Sequence, residues 1–196
     1  MTLLSIFLFI SSSFAQDLGF RYDSQNRVCL NTRGERGFNP GYLGECGDLR
    51  GFSLRKVVLR DLNLKGALLT SASFKNRRIE NVDFEGARLD RTDFSQAIVD
   101  SCSFVHSHLN RSLWRVTRVF SSLFDGAEFT RSLFFESRWS GGSYFNTFFQ
   151  GSDFRNADFA FASIQSARLR GVYYNRQTRL PFDFIQARRL GMIYSR

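Results

Sequence analysis

The 196-residue sequence predicts an all-β solenoid of square coils, with a small N-terminal cap and a short C-terminal capping helix. Three observations carry this. From Leu49 to Tyr174 every fifth residue is apolar or aromatic, without exception. The position two before each of these is almost always small, as at Ala67, Ala72, Ser107, Ser112, Ser132 and Ala167, with Phe52, Leu62 and Arg77 as the large exceptions. The chain also holds 23 Phe, ten of them on that stride. A helix shows its apolar face about every 3.6 residues and a strand every 2, so a stride of five needs a corner in each repeat. The large residue and the small one before it point inward, and the other three point out. Four such sides close a square coil, and coils stack through backbone hydrogen bonds at about 4.8 Å. A sandwich would instead need alternating strands between clusters of turn residues, a pattern that is missing.

The elements follow in order. Residues 1–15 read as a signal peptide: Leu3 to Ile10 is a short apolar run, followed by Ser11-Ser12-Ser13-Phe14-Ala15 and the polar Gln16-Asp17. The run is well short of the roughly 20 apolar residues of a membrane span. The chain is therefore expected to be periplasmic or secreted, beginning at Gln16 once processed. Residues 16–46 form the N-terminal cap, where Cys29 and Cys46 lie in a Gly- and Arg-rich segment. A disulfide between them would close a short loop and contribute about 3 kcal/mol, as suits an exported chain. Coincidental spacing is the alternative, and no companion Cys or His suggests zinc. Cys102 falls at an inner position, where a free thiol behaves as a small hydrophobe.

Residues 47–176 carry the repeat. Stretches such as Asn81-Val82-Asp83-Phe84, Ala127-Glu128-Phe129, Ser152-Asp153-Phe154 and Ala157-Asp158-Phe159 resemble the pentapeptide-repeat family, whose pattern is Ala, Asp or Asn, Leu or Phe, then two variable residues. The resemblance implies a right-handed quadrilateral β-helix. The strict repeat stops after Tyr174, and residues 177–196 form the C-terminal cap. There Asp183 is the N-cap of a short helix, Gly191 ends it, and Phe184, Ile185 and Leu190 are expected to seal the last coil.

The surface offers two candidate contact regions. With 27 Lys and Arg against 18 Asp and Glu, the net charge is +9. Arg55, Lys56, Arg60, Lys65, Lys75, Arg77 and Arg78 concentrate in the first coils, a basic patch that suits an anionic partner. Leu113, Val116, Leu133 and Phe135 point outward on one side, with Phe120, Leu123, Phe145, Phe148 and Phe161 on others, as a protein partner or a homodimer seam would use. Catalytic material is scarce. His106 and His108 face outward on different sides of a corner, and Asp83, Asp93, Asp153 and Asp158 sit at the repeat's structural Asp position. No phosphate-cradling loop or nucleophile elbow occurs, so no enzyme activity, cofactor or metal is expected. The expected function is that of an exported, non-enzymatic scaffold, a rigid binding surface for a protein or an anionic envelope component. Nucleic acid is not an expected partner for an exported chain. The alternative comes from the resemblance: members of that family mimic DNA and protect DNA gyrase, but a chain of charge +9 does not imitate a polyanion.

Overall fold

A computed structural model describes residues 18–54 and 57–196. The expected signal peptide, and Arg55 and Lys56 of the basic patch, lie outside the described residues. The rest is a square β-solenoid of about seven coils. All 26 residues on the five-residue stride, from Leu49 to Tyr174, are buried. Side 1 is built on Leu49 and its successors at twenty-residue intervals, side 2 on Leu54, side 3 on Leu59 and side 4 on Leu64.

The corners explain the stride. At most described corners the residue two after the buried centre has a positive φ, as at Asn76, Asn81, His106 and Asn156, and on most turns of sides 1, 2 and 4 the next amide donates back to the centre's carbonyl. Ala67 N–H reaches Leu64 O in this way at 3.1 Å. Each is a four-residue turn whose third residue is left-handed. Between coils the ladder is parallel: Leu64 N–H donates to Asp83 O at 2.7 Å and Asp83 N–H to Leu62 O at 2.9 Å. The Asp before a centre supports its corner, because Asp83 Oδ1 accepts from Glu85 N and Asp93 Oδ1 from Ser95 N. That is the structural role expected for these acids.

On side 3 the pairing is long enough to form strands β5 (Leu59–Arg60), β6 (Arg78–Glu80), β7 (Ile98–Asp100), β8 (Arg118–Phe120), β9 (Arg138–Ser140) and β10 (Asp158–Phe161), one parallel sheet. A bulge shifts the register between Asp158 and Phe161, and a single 3-10 turn at Ile164–Ser166 follows it.

Aromatic rings fill the rod. Phe74, Phe94 and Trp114 stack in one column at centroid spacings of 4.7 and 4.2 Å, and Phe84, Phe104 and Phe124 in the next at 4.7 and 4.9 Å. Rings on opposite sides meet edge to face, as Phe74 and Phe84 do at 89°. The coil rise of about 4.8 Å matches ring-stacking distance, so a flat side chain repeated every twenty residues leaves no void. This is where most of the phenylalanine excess goes. Phe52 and Leu62, large at inner positions, lie half-buried against the core near the first coils.

Both ends depart from the simplest expectation. Strands β1 (Arg21–Asp23) and β2 (Val28–Leu30) form an antiparallel hairpin that lies along the rod at the corner between sides 4 and 1 instead of over its end. Tyr22 packs on Gly66 and Gly86, and the disulfide from Cys29 to Cys46, with Cα atoms 5.9 Å apart, ties the hairpin down. The first coil is topped by β3 (Asn39–Pro40), parallel to β4 (Gly47–Asp48), with Leu43 against the core. At the other end the stride does not stop cleanly at Tyr174. One more side, with a residue inserted, stacks through Arg179 N–H to Ala157 O at 3.0 Å and Thr178 Oγ1 to Phe154 O at 3.0 Å. Helix α1 (Phe184–Arg189) begins at Asp183, whose carboxylate accepts from Gln186 N at 2.7 Å. Of the expected sealing residues Leu190 packs on the core, while Ile185 is 65% and Phe184 43% exposed, and the buried residues here are Ala187 and Met192. Strand β12 (Ile193–Tyr194) then pairs with β11 (Tyr173–Tyr174).

Candidate functional site

Pairing across coils decides which cations are available. Arg60 Nε donates to Glu80 at 2.6 Å, and Arg78 donates to the same carboxylate. Arg78 first, and Arg60 second, hold the Glu80 carboxyl below its ordinary range. Lys65 bonds Glu85 at 2.8 Å and Asp83 at 3.2 Å. Arg77 sits at an inner position, half-buried, and donates to Val57 O at 2.7 Å. Of the expected basic patch, Lys75 is the described member without a side-chain partner.

The free arginines are farther along. Arg91, Arg111 and Arg131 recur every twenty residues at the corner from side 1 to side 2, each in the left-handed turn position, with φ of 59°, 60° and 60°. On side 3 Arg118 and Arg138 are register partners. None of the five has a side-chain hydrogen bond or ion pair among the described residues. Nearby acids are mostly engaged: Arg155 holds Asp153 at 2.6 Å and Arg179 holds Asp158 at 2.7 Å, leaving Glu136 as the exposed exception.

The apolar residues lie between these arginines. Leu113 and Leu133 are register partners on side 2, the first half-buried and the second 39% exposed. Val116 is 47% exposed and Phe135 37%, with Arg115 over the Phe135 ring at 6.0 Å. Reading outward positions along one coil gives Arg111, Leu113, Arg115, Val116, Arg118 and Phe120; the next gives Arg131, Leu133, Phe135, Glu136 and Arg138. The apolar residues expected from sequence are thus brought together, and the arginines interleaved with them were not singled out. Their signal was a repeat of twenty within the repeat of five. Val116 also carries strain, since a β-branched residue with φ of 58° is an outlier that Asn or Gly would avoid.

The groups with chemical potential elsewhere are inert or structural. Burial pushes the Cys102 thiol up to about 11. His108 bonds Glu128 at 3.2 Å, and His106 lies against the hairpin at Arg27. Among the described residues no group of three or more His, Cys, Asp or Glu could hold a metal ion, and no helix is long and apolar enough to cross a membrane.

Residues 78–113 and 146–173 match the family model for pentapeptide repeats, in eight copies. These stretches are pentapeptide repeats. The chain is similar to HetL, a pentapeptide-repeat protein involved in heterocyst differentiation regulation from the cyanobacterium Nostoc sp. strain PCC 7120, at 18% identity over 75% of this chain and 72% of that one, with a TM-score of 0.36. A pentapeptide-repeat protein of the Arabidopsis thaliana thylakoid lumen is 21% identical over 51% of this chain and 66% of its own, TM-score 0.31. QnrB1, a plasmid-mediated fluoroquinolone resistance protein, is 14% identical over 76% of this chain and 79% of its own, TM-score 0.30. No protein of curated function matches.

Proposed function

We propose that this chain is an exported, non-enzymatic scaffold that holds the face formed by sides 2 and 3 against an anionic component of the cell envelope. The interleaving of unpaired arginines with exposed apolar residues in two adjacent coils carries the reading. Arginines without carboxylate partners repel one another, and an anionic surface offsets that repulsion at about 1 kcal/mol per residue. The Leu, Val and Phe side chains between them suit a partner whose charge overlies an apolar layer, as lipid headgroups do. The rod is prebuilt, so little conformational entropy is lost on contact. The free arginines are the opposite of a DNA-like acidic surface, which supports this reading over gyrase protection. Export rests on residues 1–15, and intact mass of the protein from its host, beginning at Gln16, checks it.

Co-sedimentation with phosphatidylglycerol vesicles, against phosphatidylcholine vesicles, tests the face. Salt-sensitive binding to the first is expected, weakened at least about tenfold when Arg111, Arg118, Arg131 and Arg138 are changed to Gln. Equal binding by that variant, or equal binding to neutral vesicles, rules the face out.

A further inference from the structure

A second cationic site lies at the diagonally opposite corner, where the N-terminal hairpin runs along sides 4 and 1. A cleft of about 340 Å³ opens there, lined by Arg27, Arg36, Arg88, His108, Tyr22 and Gly86 among others. The three arginines come from separate parts of the chain: Arg27 precedes β2, Arg36 follows the hairpin, and Arg88 projects from side 1 of the rod. Arg36 and Arg88 have no side-chain hydrogen bond or ion pair among the described residues. Arg27 contacts His106 Nε2 at 3.4 Å. Burial, with Arg27's charge second, lowers the His106 pKa, so that ring does not compensate the guanidinium.

The carboxylates nearest this corner are already committed. Glu85 is bound by Lys65, Glu128 by His108 and Asn110, and Glu45 accepts the Tyr22 amide at 2.8 Å. Guanidinium groups that line one cleft without carboxylate partners repel one another. A group with several charged acceptor oxygens relieves that repulsion.

We infer that this cleft binds a small soluble molecule bearing a phosphoryl group, gripped by Arg27, Arg36 and Arg88. Arginine forks match phosphate oxygens in pairs, and a cleft of this volume has room for a phosphate with a substituent. The site lies away from the arginine–apolar face on sides 2 and 3, so it stands or falls separately from that face.

Isothermal titration calorimetry of the chain with sodium pyrophosphate at low ionic strength tests it. The expected result is saturable binding of one ligand per chain. Arg36→Gln with Arg88→Gln weakens it at least about tenfold, while Arg131→Gln with Arg138→Gln leaves it within about twofold. Arg88→Lys retains charge without the fork and falls between. The absence of saturable heat, binding unchanged in the Arg36/Arg88 variant, equal weakening by the Arg131/Arg138 variant, or binding to phosphatidic acid vesicles without binding to pyrophosphate would each overturn the assignment.

Discussion

Trp114 and Trp139 each have a serine two residues earlier, and that serine accepts the indole N–H, at 2.8 Å from Ser112 and 2.9 Å from Ser137. The inner small position therefore does more than leave space. Tyr144 breaks the arrangement, because the residue two before it is Gly142, and its buried hydroxyl has no partner among the described residues. Glycine is required there: a Cβ would fall 2.0 Å from Ser122 O, and φ is +78°. Burial accordingly raises the Tyr144 pKa. Tyr144→Phe removes the orphan donor and keeps the ring on Phe124, 5.4 Å away. The variant is expected to gain about 1 kcal/mol, seen as a higher Tm, and a loss of stability would show that the hydroxyl has an acceptor in solution.

At the scale of elements, the hairpin is placed by glycines on the rod. A Cβ at Gly86 would stand 1.8 Å from the Tyr22 hydroxyl, and one at Gly66 2.5 Å from the Tyr22 ring. Gly51 makes a control, since it too has positive φ, +70°, but nothing within 4 Å. Gly51→Ala should cost only the left-handed penalty of about 1 kcal/mol. Gly86→Ala should in addition lift the hairpin, so that trypsin cuts at Arg27, Arg33 or Arg36 while the coils stay intact. Equal tryptic rates for the two variants would mean that Tyr22 does not hold the hairpin. The stride marks neither this path nor the sealing of the far end by Ala187 and Met192, because both depend on where a non-repeating segment meets the rod.

For the whole molecule, the inward and outward assignment separates stability from contact. Phe124 is fully buried between Phe104 and Tyr144, and Phe135 is 37% exposed on side 2. Phe124→Ala is expected to cost about 3–5 kcal/mol by opening a cavity in a stacked column. Phe135→Ser should leave the melting transition nearly in place and change vesicle binding instead. Thermal melts beside co-sedimentation check both, and matching losses of stability would refute the assignment of faces.

The solenoid, the buried identity of every stride position, the inner Cys102 and the short helix begun by Asp183 were legible in the residues alone. Each depends on contacts that the repeat itself generates, so a local period is enough to reveal it. The usable charges were not. Arg60, Arg78 and Lys65 looked like a patch until acids neutralised them, one coil away for Arg60 and Lys65 and on the same strand for Arg78, and Arg111, Arg131, Arg118 and Arg138 gained their importance from having no such partner among the described residues. Surface pairing is worth about 1 kcal/mol or less and turns on residues twenty positions apart, whereas each buried ring contributes several times that. The larger, repeated energy writes itself into sequence as periodicity. The smaller one, together with the path of the hairpin and the cleft it makes, exists only once the coils are stacked.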